Sequence, residues 1–281
     1  RYNKETMSTP AIHSIAIVVR PGSTDTLSEG GTIQKWLKAR GVASTVATTD
    51  DQHLRRGISR GEYDLLIALG GDGTMLRAGH LAAQQGLPIL GINLGKFGFL
   101  MQLSQEDWAA SLPRLLAGDY KIENRMMLKA QQWRDDELLR TSQVINEVVV
   151  ARGQVVRPIR IHAEVDGYQL AGYVADGLIA STPTGSTAYA LAVGGPIMPP
   201  ELRNILIMPV APHLSMDRAV ILPEGASVVI TVDSDHEAVM SVDGHEPALI
   251  SNHDRVTVTA SDLSVKFVVF QDPGYFYRNL S

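Results

Sequence analysis

Cysteine is absent from the 281 residues, which excludes a disulfide framework, a thiolate metal site and a thiol nucleophile. No unbroken apolar stretch reaches the roughly 18 residues that would mark a bilayer-spanning helix, and no internal repeat or low-complexity tract interrupts the chain. Positive charge is not in excess: the net charge is −5, against the basic face that broad nucleic-acid binding requires. Phosphate contacts, if made, are therefore expected to be local. Arg1 to Thr6, which precede Met7, lack the apolar core of a signal peptide and are set aside. The expectation is a cytoplasmic protein of about two domains, from a prior of roughly 150 residues each.

What is present falls into two halves. Ile12 to Val19 is a short apolar run, followed by Thr24 to Arg40, where Leu27, Ile33, Trp36 and Leu37 recur at near-helical spacing and Gly41 is placed to stop the helix. Ala43 to Ala47 and Tyr63 to Leu69 continue as strands, Thr74 to Gln85 as a helix, and Leu87 to Asn93 as a strand. Gln105 to Ala117 is expected as a helix capped by Ser104 with Asp107 three residues on. Such alternation implies a parallel sheet covered by helices. Beyond about Asn124 the period changes to two. Ile159, Ile161, Ala163 and Val165 lead into Asp166-Gly167, and Val228 to Val232, Ala238 to Val242, Val256 to Thr259 and Val265 to Phe270 follow, with Asp243-Gly244 as a further turn. The fold class is thus an N-terminal Rossmann-like α/β domain, residues 7–124, and a C-terminal β-rich domain, residues 125–270. A tail, 271–281, carries Tyr275, Phe276 and Tyr277 and is expected to dock back on the first domain.

Two glycine-rich segments carry the chemistry. Leu69-Gly70-Gly71-Asp72-Gly73-Thr74 joins a strand to a helix, where glycines allow positive φ and let backbone N–H groups approach a phosphate. It is not G-x-G-x-x-G. Gly91 to Lys96 does not complete a P-loop either, because Phe97 stands where Ser or Thr is needed. Asp72 lies at the positive end of a helix, which favours its ionised form. It is then a modest base, better suited to orienting a hydroxyl than to deprotonating it fully. The second segment, Asp176 to Tyr189 (DGLIASTPTGSTAY), collects hydroxyls, a carboxylate and an aromatic ring in fourteen residues, and Asn146-Glu147 interrupts an apolar run.

These pieces, with Gly194-Gly195-Pro196 and Gly91 to Leu100, resemble in order and over most of the chain the NAD kinase family, whereas the aspartate loop alone resembles a wider superfamily of lipid and sugar-phosphate kinases. The resemblance implies an α/β domain followed by a β-rich one, NAD in the cleft between them, and homo-oligomers, often tetramers. It implies transfer of a phosphoryl group from ATP or a related donor to the 2′-hydroxyl of the adenosine ribose of NAD. By motif, Asp72 corresponds to the catalytic aspartate, Gly71 and Gly73 to the phosphate-side loop, and Asn146, Glu147, Asp176, Thr187, Ala188 and Tyr189 to dinucleotide contacts. Lys96, Asp243 and His245 are candidate site-lining residues. Two departures from the pattern occur, Lys96-Phe97 and Leu214-Ser215-Met216-Asp217 before Arg218.

Each of these residues has a plainer reading: Asn146 and Glu147 as strand-edge polars, Tyr189 as a core ring. Asp233, Asp235, His236 and Glu237 are best taken as a solvated hairpin tip. No protein metal cage is expected, and Mg²⁺ should arrive with the nucleotide phosphates. The rival functions are a kinase with an apolar acceptor and a non-catalytic NAD sensor. Asn146-Glu147 with the Asp176 segment speak against the first, Asp72 against the second.

Overall fold

The computed structural model describes residues 11–95, 98–213, 216–270 and 274–278. These form two compact units, one running to Asn124 and resuming at Val265, the other spanning Arg125–Ser264. Of the expected tail, 271–273 and 279–281 lie outside the described residues.

In the first unit, β1 (Ser14–Val19), β2 (Ala43–Thr48), β3 (Leu65–Gly70) and β4 (Pro88–Asn93) are parallel in the order β2-β1-β3-β4. Every residue of β3 is buried, and all but the first of β1 and β4. This continuous burial is what a parallel strand covered on both faces requires. The helices are α1 (Thr24–Lys38), α2 (Gln52–Ser59), α3 (Asp72–Ala83) and α4 (Trp108–Leu116), with the two-residue β5 (Leu103–Ser104) on β4. In α1, Ile33 and Leu37 face the core as expected, whereas Leu27 is exposed.

Three local readings are corrected. Helix α2 stands where no element was expected, although its buried Leu54, Gly57 and Ile58 fall at helical spacing; its start is set by Asp51, whose carboxylate accepts from the Leu54 amide at 2.8 Å. Helix α3 begins at Asp72 instead of Thr74, so the aspartate is part of its first turn. Helix α4 begins at Trp108 instead of Gln105. Ser104 Oγ donates to Asp107 at 2.6 Å and closes a turn ahead of the helix, so the residues expected as cap and third position serve another purpose.

The second unit contains β6 (Lys121–Arg134, entering from the first), β7 (Glu137–Val144), β8 (Glu147–Arg152), β9 (Ile159–Val165), β10 (Tyr168–Ala175) and β11 (Gly177–Ser181). A 3₁₀ turn (Thr184–Thr187) and the short α5 (Tyr189–Ala192) follow. The remaining strands are β12 (Asn204–Val210), β13 (Val220–Pro223), β14 (Val228–Asp233), β15 (Ala238–Val242), β16 (Ala248–Ile250) and β17 (Arg255–Val269). One layer runs β10-β9-β14-β17, with β6 on β17 and β7 on β6; the other runs β13-β12-β11-β8-β15-β16. Apolar residues of both, among them Val148, Leu178, Ile207 and Met240 from one and Ile161, Ile230 and Val256 from the other, form a single core.

Asp166 and Gly167 take φ of 53° and 82°, the doubly positive geometry of a tight hairpin, between the antiparallel β9 and β10. The two runs expected at Val256 and Val265 are one fifteen-residue strand, β17, whose last five residues belong to the first unit. Asp233 to Glu237 is no hairpin tip: β14 and β15 lie in different layers, so the segment crosses between them. His236 is held there between the Asp235 carboxylate and the Arg157 carbonyl, at 2.8 and 3.1 Å.

Tyr173 sits 1% exposed in the second core with no hydrogen-bond partner for its hydroxyl among the described residues. An unpaired buried hydroxyl costs about 1–3 kcal/mol. Tyr173→Phe should therefore leave stability unchanged or raise it by about 1 kcal/mol, as read from urea melts.

Candidate active site

The first site is built at the junction of β3 and α3. Gly70 has φ of 150°, and a Cβ there would lie 2.5 Å from Thr74 Oγ1, so this glycine answers to conformation and space together. Gly71, the N-cap of α3, does not need positive φ. Its value is room: a Cβ on it would meet nothing within 4 Å, and on Gly73 only the Arg77 guanidinium at 3.9 Å. The loop mouth is thus open above the first turn of α3, where backbone N–H groups have no intrahelical partner.

Asp72 is positioned by a second loop. Its Oδ2 accepts from the Phe99 amide at 3.0 Å and its Oδ1 from the Leu100 amide at 3.2 Å. A Cβ on Gly98 would fall 2.2 Å from Oδ1, so only glycine lets this loop close on the carboxylate. The loop leaves β4 at Asn93, whose Nδ2 donates to the Gly95 carbonyl at 3.1 Å, and the Leu94 amide ties it to the Gly70 carbonyl at 3.2 Å. A carboxylate offers about four acceptor positions. The two amides fix its plane. Lys96 lies outside the described residues.

The second site is built around Asn146 and Glu147, where β8 begins. Both are buried, at 8% and 7% exposure, so neither is a strand-edge polar facing water. Their backbone is gripped from two sides. Asp243, from the turn after β15, accepts three successive amides, Ile145 at 2.8 Å on Oδ2 and Asn146 and Glu147 at 2.7 and 3.0 Å on Oδ1. From β11 the Thr182 amide and the Ser181 hydroxyl donate to the Asn146 carbonyl at 2.8 and 3.0 Å, and Thr182 Oγ1 donates to the Ile145 carbonyl at 2.6 Å. Gly185 packs so closely that a Cβ would lie 2.1 Å from the Asn146 carbonyl oxygen.

With the backbone satisfied, two side-chain oxygens of the pair have no partner among the described residues: Asn146 Oδ1 and Glu147 Oε2. Burial pushes the Glu147 carboxyl up to about 8, the neighbouring Asp243 carboxylate adds to the effect, and the Tyr189 amide, which donates to Glu147, partly offsets it. Glu147 is therefore protonated at neutral pH.

The hydroxyl-rich segment divides into support and surface. Ser181, Thr182 and Ser186 are buried and bonded to backbone; Ser186 Oγ donates to the Pro183 carbonyl at 2.6 Å and accepts from the Met198 amide at 2.9 Å. Thr187 donates to the Thr184 carbonyl at 3.2 Å. Ala188 is the turn between the 3₁₀ segment and α5, and Tyr189 is 43% exposed, a free ring face and not a core ring. The Tyr189 amide is thus brought to Glu147, with Thr187 and Ala188 preceding it in the chain, whereas Asp176 is not. It stands five residues back along β11, roughly 16 Å at strand rise, and pairs with Arg152 at 3.1 Å. His245 is exposed in the Asp243 turn, its amide on the Val242 carbonyl at 2.9 Å. Among the described residues no group of three or more His, Asp or Glu is arranged to hold a metal ion.

Sequence reasoning understated two residues. Gly98 carries a sequence signal, as a glycine two residues after Lys96 in a second glycine loop. Asp243 reads from sequence as a lining residue only, because an Asp-Gly turn is sufficient reason for an aspartate and nothing in the sequence says which amides its carboxylate reaches.

A carboxylate clamped at the head of a helix beside a glycine loop combines an orienting group with backbone amides that favour phosphate, parts that phosphoryl transfer uses. The model of the ATP-NAD kinase N-terminal domain matches residues 49–120, and that of the ATP-NAD kinase C-terminal domain residues 145–270. The NAD kinase of Heliobacterium modesticaldum is 36% identical over 94% of this chain and 95% of that protein; the one from Chloroflexus aggregans is 33% identical over 96% and 97%. The fold matches that of yeast NADH kinase complexed with NADH, with a TM-score of 0.85 at 23% identity over 97% of this chain and 88% of the other. It also matches an Archaeoglobus fulgidus NAD kinase in complex with ATP, with a TM-score of 0.75 at 23% identity over 95% and 96%. The chain belongs to the ATP-NAD kinase family.

Two outcomes follow from the geometry. Gly98→Ala should leave the fold intact by circular dichroism yet abolish turnover, since its methyl displaces the Asp72 carboxylate. Glu147 has a raised folded-state pKa, so it lowers stability increasingly as pH rises from its unfolded value of 4.5 to about 8, with no further change above. Glu147→Gln removes that penalty and should stabilise the protein more at pH 8.5 than at pH 6, by about 2 kcal/mol. Calorimetric melts at both values check this.

Proposed function

We propose that this protein is an NAD kinase that moves the γ-phosphoryl group of ATP, or of a related donor, to the 2′-hydroxyl of the adenosine ribose of NAD, giving NADP. The observation that carries the reading is Asp72, held in one orientation by the Phe99 and Leu100 amides beside an open glycine loop. The acceptor hydroxyl donates its hydrogen bond to that carboxylate, which turns an oxygen lone pair toward the γ-phosphorus. The oxygen–phosphorus bond forms as the bond to the β-phosphate bridge breaks, ADP leaves, and the hydroxyl proton passes to Asp72 and on to water. In a loose transition state the nucleophile needs aim more than basicity. Mg²⁺ enters as part of the substrate, MgATP.

In this reading residues 7–124 supply the transfer loop, Gly71, Asp72 and Gly73, with Lys96 offering charge to phosphate. Residues 125–270 supply the dinucleotide contacts. Asn146 Oδ1 and Glu147 Oε2 are buried oxygens without protein partners, and such groups call for a ligand's hydrogen bonds. Tyr189 offers an exposed ring for stacking, and Thr187 and Ala188 shape the turn beneath it. Asp176 joins only if the bound dinucleotide extends along β11, and His245 only from the rim. The protein acts in the cytoplasm as a homo-oligomer, a dimer or tetramer. No described helix is long and apolar enough to cross a membrane, and light scattering that returns a monomer would remove the oligomer from this reading.

The test is an end-point assay with NAD, ATP and Mg²⁺, NADP being detected by an NADP-specific dehydrogenase. Wild type should form NADP, and Asp72→Asn should keep NAD affinity while losing about 10²–10⁴-fold in turnover. Full turnover in the variant, or no product from wild type with ATP or polyphosphate, refutes the assignment.

A further inference from the structure

The Asp243 carboxylate accepts three backbone amides, and they are consecutive. A single carboxylate that accepts Ile145, Asn146 and Glu147 fixes the chain direction at the start of β8 as firmly as two more ladder bonds would. The Asp243 amide closes the arrangement by donating to the Glu147 carbonyl at 3.0 Å. It does this from a left-handed conformation, φ 50°, which Asp tolerates better than most residues because its short polar side chain bonds locally.

What this grip presents is the pair of unpartnered oxygens, Asn146 Oδ1 and Glu147 Oε2. We propose that Asp243 is the positioning residue for NAD: it aims these two oxygens at the dinucleotide, with Asn146 as acceptor and Glu147 as a hydrogen-bond donor in its acid form. The inference deepens the NAD kinase reading and rests on it for the identity of the ligand.

The groups facing Glu147 are few. From β11 the residue opposite it is Ser181, which is uncharged and bonded to the Asn146 carbonyl. The segment 184–192 contributes the Tyr189 amide and, on its exposed side, the Tyr189 phenol. The turn after β15 contributes Asp243, the charged group acting on Glu147, with His245 exposed two residues on. Ionising Glu147 would place a second negative charge in a buried site beside Asp243, so binding through its proton is the form the site supports at neutral pH. A donor beside an acceptor also selects its ligand: it matches an edge with one of each, such as an amide or a purine edge, and not two bare phosphate oxygens.

NAD binding to the full-length protein, measured by titration calorimetry from pH 6.5 to 9.5, tests the inference together with the NADP assay. Wild-type affinity should stay flat to about pH 8 and fall about tenfold per pH unit above it as the Glu147 proton is lost. Asp243→Asn should bind NAD about tenfold more weakly at pH 6.5, because its amide group faces the Ile145 N–H donor to donor. The fall should also begin at lower pH, since Glu147 no longer ionises against a neighbouring charge. A purely structural role would weaken binding equally at every pH and leave the break in place. Glu147→Gln should abolish the break, and decides alone if Asp243→Asn does not fold. A break that stays put in Asp243→Asn, or persists in Glu147→Gln, overturns the inference. NADP formation with wild-type affinity flat throughout also overturns it while the kinase reading stands. NAD binding with the break but no NADP overturns the kinase reading alone.

Discussion

Backbone amides gathered by a carboxylate are the interaction on which both candidate sites depend. In the first unit Asp72 accepts Phe99 and Leu100; in the second Asp243 accepts Ile145, Asn146 and Glu147. Buried N–H groups outside regular structure must be paired, and a carboxylate pairs several at once with charge-assisted bonds. The two uses differ in what is left over. At Asp72 the amides restrain the carboxylate proposed to act. At Asp243 the carboxylate restrains the backbone of the residues proposed to bind, Asn146 and Glu147.

Close approach follows from this economy of contacts, and it explains where glycine is indispensable. Gly98 lets a loop close over Asp72, and Gly185 lets the 184–187 turn press on the Asn146 carbonyl. Gly71 and Gly73, which look most conspicuous in the sequence, have no close neighbours to avoid; they keep the mouth of the loop open. The same residue type therefore serves conformation at Gly70, proximity at Gly98 and Gly185, and emptiness at Gly71.

The parallel α/β unit and the antiparallel unit were legible because period and burial agree: β3 is apolar throughout, β9 alternates, and the Asp166-Gly167 turn has one physical use. Boundaries failed where polar side chains bond locally, as at Ser104–Asp107 and Asp51, since a cap and a free-standing turn use the same residues. Helix α2 spans only eight residues with two large apolar side chains, Leu54 and Ile58, so its helical spacing is short and easily passed over. In the sites, Asp72 and the Asn146-Glu147 pair stood out because polar groups in apolar runs need a reason. The role of Asp243 was not legible: it depends on amides nearly a hundred residues away, and an Asp-Gly turn conceals that reach.

Glu147 shows what such a site costs the fold. A buried carboxyl that titrates near 8 is stabilised by neither an ion pair nor full hydrogen bonding, and its Oε2 is left unmatched. Around it Ser181, Thr182 and Ser186 use their hydroxyls on backbone carbonyls and amides. At the clamp the deficit falls on two side-chain oxygens, Asn146 Oδ1 and Glu147 Oε2. A fold that could have placed an apolar residue at the start of β8 instead holds an acid and an amide there rigidly and unpaired. Rigidity and lack of a partner together make ligand binding cheap in ordering entropy and rich in new hydrogen bonds, because the groups are already fixed in the orientation they must adopt. Under the proposed reading, a ligand edge that supplies the missing partners recovers the stability lost at Asn146 and Glu147, which links binding to folding through the same pair of oxygens.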